Sequence, residues 1–216
     1  MSVYPPTGAS PKEVAKEVWE HSPRYEKFIK GWLFADRLKE LCRPYDLTTL
    51  PTPTLVKRAG STLTISATSM TWTSTEGTTA MEYAFFPFPS TPRAVYVHAI
   101  VRTNRAVGIG LALNENYWYR ALINLPAAAS DFVFGNFLGG SGAVLGSEAV
   151  DLSSGVYYIV ELAYDAVTGL FRIYRDGDLK FVVRDLSLVP DKFMFTASVA
   201  SGYYAELRAP LVVWWE

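Results

Sequence analysis

Between Val156 and Val183 the chain reads VYYIVELAYDAVTGLFRIYRDGDLKFVV, with apolar or aromatic side chains at alternate positions. A period of two marks a pleated strand that buries one side only, because successive side chains leave opposite faces. Turn chemistry interrupts the stretch twice. Asp165 to Gly169 reads as a five-residue hairpin, and Asp176-Gly177 as the two-residue hairpin that needs positive φ at both positions. Three strands in a meander are expected. Tyr158, Val160, Leu162 and Tyr164 should share one face with Tyr174 and Arg172, and Tyr157, Ile159, Glu161 and Ala163 the other.

The same period governs the chain from Ser61 onward. Thr62, Thr64 and Ser66 alternate with Leu63, Ile65 and Ala67, and Thr71 and Thr73 flank Trp72. Further strands are expected over 81–88, 94–103, 107–114, 117–125, 131–138, 143–152, 192–200 and 203–215. The glycine-rich run from Gly135 to Gly142 reads as a long flexible hairpin or rim loop; it lacks the lysine and following helix of a phosphate loop. Ten or more short strands with no helical pattern between them predict an antiparallel two-sheet β-sandwich or jelly roll.

The first fifty residues follow a different rule. Ser10-Pro11-Lys12-Glu13 is a capping box with proline at the first helical position, which predicts a helix from Pro11 to about Glu20. Ser22-Pro23 repeats the opening, and Tyr25, Phe28, Ile29, Trp32 and Leu33 recur at helical spacing until Pro44, with a break allowed at Gly31. The proline- and threonine-rich stretch from Arg43 to Val56 suits an extended strap. The expected organisation is an N-terminal α-helical arm and strap over residues 1–50, followed by a mainly β jelly-roll domain over 51–216.

Composition narrows the partners. The chain has 20 basic and 21 acidic residues, a net charge of -1, so it lacks the field that gathers nucleic acid or anionic lipid. Only 19% of residues are charged while 50% are hydrophobic, which favours some apolar surface lying against a partner. Cys42 is the single cysteine, so no intrachain disulfide or cysteine zinc site is expected, and it reads as a small core residue. The opening residues hold no apolar run of the secretory kind, no segment reaches a membrane span, and no Asn-x-Ser/Thr triplet occurs. The expectation is a soluble protein of a virion or the cytoplasm.

The segment GVYYIVELAYDAVTGLFRIYRDGDLKFVV resembles the strand, hairpin and Asp-Gly turn near the end of concanavalin A-like lectin and glucanase domains, including the laminin G-like branch. Tyr164, Asp165, Thr168, Gly169, Tyr174, Asp176 and Gly177 carry the likeness. It extends more loosely over residues 60 to 215. The resemblance implies a jelly roll whose concave face holds sugar in some members and serves catalysis in others.

Catalysis by the glucanase scheme needs acids at alternate positions of one strand, so that they share a face. No such run exists here. Glu161 and Asp165 are spaced evenly, but Asp165 falls in a turn where its carboxylate is expected to cap backbone N–H groups. Glu82, Glu115, Glu148 and Glu206 lie on separate strands, and no catalytic residue is assigned. His21 and His98 are too few for a metal cluster, and Asp176-Gly177-Asp178 and Asn114-Glu115-Asn116 offer only fragments of a calcium shell. No metal or other cofactor is expected.

The aromatic supply is more suggestive. Tyr117-Trp118-Tyr119, Tyr203-Tyr204, Trp72 and Trp214-Trp215 place large rings on both faces of their strands, so some point away from the core. Trp118, Tyr119 and Tyr203 are the candidate sugar platforms, and Trp19, Phe28 and Trp32 of the arm the candidate assembly contacts. The leading expectation is a non-enzymatic jelly roll acting in assembly or recognition, as a homo-oligomer or with other assembly proteins, for instance in a virus particle. The alternative is a carbohydrate-binding, lectin-like module, and a third reading is a divergent glycoside hydrolase.

Overall fold

A computed structural model of the chain describes residues 43–125 and 131–215. The expected helices, with Trp19, Phe28, Trp32 and Cys42, lie outside the described residues. Within them the chain forms fifteen strands: β1 (Arg43–Tyr45), β2 (Thr54–Val56), β3 (Ser61–Ile65), β4 (Ser69–Ser74), β5 (Ala80–Pro87), β6 (Ala94–Thr103), β7 (Ala106–Asn114) and β8 (Tyr117–Asn124). There follow β9 (Asp131–Leu138), β10 (Ser141–Ala149), β11 (Tyr157–Asp165), β12 (Leu170–Arg175), β13 (Asp178–Arg184), β14 (Lys192–Val199) and β15 (Tyr204–Trp215). Among the described residues no helix is long and apolar enough to cross a membrane.

The strands form two antiparallel sheets. One has eight strands in the order β13-β12-β11-β6-β15-β4-β3, with β1 also on β15; the other has seven in the order β10-β9-β8-β7-β14-β5-β2. The strap is thus more regular than expected, since its two ends pair as β1 and β2. Its prolines permit this because a short strand pairing on one side can do without an N–H. Pro210 is accommodated in the same way. The register of β15 shifts between Arg208 and Leu211, and Ala209 takes a φ of 43° there. Before that bulge β15 pairs with β4, and after it with β1.

The meander follows the expected turn chemistry at Asp176-Gly177, where φ is 51° and 79°. Its facing differs from the expectation. Glu161 pairs with Tyr174 and Ala163 with Arg172, while Phe171 and Ile173 oppose Tyr164 and Leu162. Tyr174 and Arg172 therefore stand on the outer face with Glu161, because Asp165 pairs directly with Leu170 and the hairpin is one residue tighter than its sequence suggested. The Gly135–Gly142 run is also not a loop: Gly135 lies in β9, and only Gly139 and Gly140, at φ 63° and 98°, make the turn into β10.

The core fills the space between the sheets with rings. Phe171 of the eight-stranded sheet sits 4.4 Å from Tyr119 and 5.3 Å from Phe134 of the seven-stranded sheet, and 4.5 Å from Tyr164 on its own. Two charged groups close the open edges. Buried Glu82 accepts from the Arg58 backbone N–H at 3.0 Å, Arg58 Nε at 2.8 Å and Ser61 Oγ at 2.6 Å. At the opposite edge Glu148 meets Arg175 at 3.0 Å and Lys180 at 3.2 Å. Truncating Phe171 opens a cavity against both layers, so Phe171→Ala is expected to lose about 3–5 kcal/mol in urea denaturation. A loss below about 1 kcal/mol would show that the two sheets do not depend on this ring.

Candidate functional site

The acids singled out in the sequence are held apart. Asp165 caps its turn, accepting from Val167 N at 2.9 Å and from Thr168 Oγ1 at 2.7 Å. Glu161 faces outward from β11, where it accepts the Tyr96 hydroxyl at 2.5 Å and lies 3.3 Å from His98 Nδ1. Glu206 lies on the same outer face between Arg102 Nη2 at 2.7 Å and Arg208 Nε at 2.6 Å, with the Tyr157 hydroxyl donating at 3.2 Å. Glu161 pairs across β6 with His98 and Glu206 with Arg102. Those positions are four residues apart on β6, about 13 Å, with a further ~10 Å across the strands. Glycoside hydrolysis needs its two carboxyls within about 5–10 Å.

The calcium fragments serve as local caps. Asp176 Oδ1 accepts from Ile159 N at 2.9 Å, and Asn114 Oδ1 from Asn116 N at 2.8 Å. Among the described residues no three acids, histidines or cysteines converge as a metal site would require.

The three candidate sugar platforms separate. Tyr119 is 0% exposed, its ring tilted against Phe171 inside the sandwich, so it can present no face to a ligand. Tyr203 is 38% exposed and stands in the turn between β14 and β15, at the Ala106 end of the seven-stranded sheet. Trp118 lies on that sheet's outer face near its other end, opposite Ala112 and Phe137, but at 7% exposure it too is buried and offers little of its ring to a ligand. Neighbouring residues Trp118 and Tyr119 take opposite fates because the pleat sends them to opposite sides of β8.

The most developed chemistry surrounds Trp118. Two positions along the strand, on the same outer face, is Arg120, and both of its cross-strand neighbours are glycines, Gly110 and Gly135. A glycine inside a strand weakens the ladder and marks a place where something else lies close to the backbone. At Gly135 it is the Ala143 backbone, at Gly110 Met194, and at Gly108 the Arg120 side chain. A Cβ on Gly108 would fall 3.1 Å from Arg120 Cγ and 3.2 Å from its Cδ, and one on Gly110 would meet the Tyr119 carbonyl oxygen and Met194 Cε. The guanidinium stacks 4.4 Å from the Trp118 ring centroid, with the Tyr83 hydroxyl nearby.

Rings border this glycine floor. Trp118 stacks on Phe137 at 5.5 Å, Tyr83 lies parallel to Phe85 at 5.8 Å, and Phe85, Ala112, Trp118 and Met194 form a second apolar cluster separate from the core. Burial lowers the Arg120 pKa and raises that of the Tyr83 hydroxyl, since a charge on either is poorly hydrated there. Two donors remain unmatched: Arg120 Nη1 and Trp118 Nε1 are shut off from water and have no hydrogen-bond acceptor.

Of this array the sequence reading named Trp118 alone. Arg120 and Tyr83 were missed, although Gly108, Gly110 and Gly135 inside strands were a signal that other groups lie close to the backbone there.

Comparison with known structures agrees with this architecture. A carbohydrate-binding module, CBM66 from Bacillus subtilis, superposes over 78% of this chain and 93% of its own with a TM-score of 0.50 at 12% identity. The fold is a concanavalin A-like jelly roll. The seed lectin of Lotus tetragonolobus matches 79% of the chain and 97% of its own length, with a TM-score of 0.55 at 10% identity. The exoplasmic domain of VIP36, in a form bound to Ca2+ and Man3GlcNAc, matches 75% of this chain and 83% of its own, with a TM-score of 0.57 at 6% identity. No protein-family model matches the sequence, and neither does any curated protein sequence.

The Glu206 cluster makes a pH prediction. Burial alone would raise this carboxyl, but the Arg208 hydrogen bond, the Arg102 and Arg208 charges and the Tyr157 hydroxyl hold it below its usual value of 4.5. A carboxyl depressed in the folded state adds stability above its unfolded pKa and loses it as the pH falls through the folded one. Glu206→Gln is therefore expected to lower stability at pH 7 and to flatten the acid limb below about pH 4.5 in urea titrations. An unchanged acid limb would remove Glu206 as its source.

Proposed function

We propose that the protein is a non-catalytic, carbohydrate-binding module of lectin type, with its site on the outer face of the seven-stranded sheet around Trp118, Arg120 and Tyr83. The observation that carries this reading is the array itself. The half-buried Tyr83 ring and Arg120 side chain stand on that face, with Gly110 and Gly135 opposite Arg120 and the buried Trp118 ring stacked behind its guanidinium. Sugars suit such a surface because their C–H faces lie on aromatic rings while their hydroxyls take charge-assisted donors.

The carbohydrate-binding neighbours support the same reading over an assembly role. CBM66, the lotus lectin and the VIP36 domain are glycan binders by name or bound ligand, and none of them is a particle component by name. A hydrolytic role is disfavoured by the acids. Glu82, Glu148, Glu161 and Glu206 are each engaged in separate partnerships, and none lies among the residues of the Arg120 array.

Glycan-array binding followed by isothermal titration tests the assignment. Trp118→Ala and Tyr83→Ala are expected to weaken the strongest array hit at least about tenfold, the loss of one stacked or hydrogen-bonded group, with the circular dichroism spectrum unchanged. Tyr203→Ala, at the other end of the sheet, should leave affinity alone. Loss of binding in Tyr203→Ala with retention in Trp118→Ala would move the site to the far rim.

A further inference from the structure

We infer that the outer face of the seven-stranded sheet is covered by the chain's own residues 1–42, which rest on the cluster of Phe85, Met194 and Trp118. The inference is independent of the carbohydrate reading. Where both hold, Tyr83 and the outer edge of Arg120, each half-buried, are the part of the face left open to a ligand.

A sheet covered on one side buries every second residue, and one covered on both sides buries unbroken runs. β6 keeps the alternation, buried and half-buried in turn from Val97 to Thr103. β7 loses it: every residue from Ala106 to Ala112 is buried, as is every residue of β14 from Phe193 to Ala197. Neighbouring side chains shade the glycines of β7, with Arg120 over Gly108 and Met194 over Gly110, but shading does not account for the large groups. Met194, on the outer face between Gly110 and Phe85, is 0% exposed, Phe85 2% and Trp118 7%. Every described member of this cluster, with Val56, Tyr83 and Phe137 packed beside it, belongs to a strand of the same sheet. Side chains standing on one face cannot all hide one another from water, so a further layer lies over them. Arg120 Nη1 and Trp118 Nε1 are shut off from water in the same way, with no acceptor among the described residues.

The burial is that of one chain by itself, so the cover belongs to the chain. Residues 126–130 join β8 to β9 at the Asn124–Asp131 end. Trp118 is about 20 Å from Asn124 along β8, too far for so short a link that must return to Asp131. Residues 1–42 start from the right place. They lead into Arg43, which pairs with Trp214, and the Trp214 ring lies 5.4 Å from that of Phe88, just beyond β5. At that same end Pro87 pairs with Lys192, Lys192 with Ala112 and Ala112 with Trp118. From Phe85 to Trp118 is three strand spacings, about 14 Å, and residues 1–42 span roughly 60 Å even at the rise of a helix. Their chemistry suits the face. Trp19, Phe28 and Trp32 bring rings to an apolar cluster, and Glu13, Glu17, Glu20 and Glu26 are among the acids that can answer Arg120, which has no carboxylate beside it among the described residues. A buried guanidinium is costly until an anion attends it.

Methionine oxidation reads the cover directly. Met194 lies beneath it, Met70 lies in the core, and Met81 is half-buried on the same outer face beyond the cluster. The full chain is treated with dilute hydrogen peroxide and its peptides are quantified by mass spectrometry. Met194 is expected to oxidise at least about tenfold more slowly than Met81, at a rate close to that of Met70. In the double variant Phe28→Asp, Trp32→Asp, Met194 should oxidise at least about tenfold faster than in the unaltered chain while Met70 stays protected. A photoreactive p-benzoylphenylalanine in place of Tyr83, at the border of the cluster, is expected to cross-link to a peptide from residues 1–42 within a single chain.

Rapid oxidation of Met194 in the unaltered chain would show an open face and overturn the inference. Met194 as protected in the double variant as in the unaltered chain would assign the cover elsewhere and overturn it too. Cross-linked dimers would make a second copy the occupant, and cross-links only outside residues 1–42 would remove the segment from this face. If the double variant also loses the protection of Met70, it has unfolded and the cross-link decides alone. None of these measurements uses a glycan, so the carbohydrate reading stands or falls on its own titrations.

Discussion

Every strand of this molecule spends one face on the gap between two sheets, and that demand fixes what the other face is free to do. The inner faces are filled by large rings that touch across the layers, with Phe171 meeting Tyr119 and Phe134 while stacking on Tyr164. A ring in such a contact cannot rotate outward without leaving a void, and voids in packed cores cost several kcal/mol, typically about 3–5 for an aromatic. Side chains one position away face solvent by the same geometry. Tyr119 is therefore locked into the core, and Trp118 and Arg120 on either side of it stand on the outer face of β8.

A sandwich leaves two long edges where the sheets part, and here charge rather than hydrophobic packing seals them. Glu82 reaches from the seven-stranded sheet to Ser61 of the eight-stranded one while Arg58 binds it through both backbone and side chain. Arg58 also donates to the Val199 carbonyl at 2.6 Å, so one guanidinium ties the strap to β14 and β5 together. Burying Glu82 to 1% exposure is tolerable because both oxygens are satisfied, Oε1 by the Arg58 guanidinium and the Ser61 hydroxyl and Oε2 by the Arg58 backbone N–H. The rigid frame this makes keeps the strands around Arg120 in register, and register decides whether two glycines or two bulky residues lie opposite it.

Much of this was legible in the chain. Alternation placed the strands of the β domain to within about three residues, and Asp176-Gly177 specified its turn because Asp-Gly is one of the few pairs that tolerate two successive positive φ values cheaply. What escaped was information that lives between strands. The side of β12 that carries Tyr174 depends on a one-residue difference in the preceding hairpin, and such a slip exchanges the faces of the whole strand. The glycines of the Gly135–Gly142 run looked like a loop because glycine is common in loops, whereas Gly135 is needed opposite Arg120. Arg120 drew no notice for the same reason: a lone cation in a strand reads as an exposed edge until its neighbours across the ladder are known.

The two outer faces differ in how their charges are settled. On the eight-stranded sheet the polar groups answer one another: Glu206 takes two arginines and a tyrosine hydroxyl, and Glu161 takes Tyr96 beside His98. A ligand binding there would have to break those pairings and replace them with its own, gaining little. On the seven-stranded sheet the Arg120 guanidinium has no carboxylate beside it among the described residues and is held instead by the face of Trp118, with Arg120 Nη1 and Trp118 Nε1 left without acceptors. The ring quadrupole offsets part of the cost of taking that cation out of water, whereas on the other face ion pairs do so.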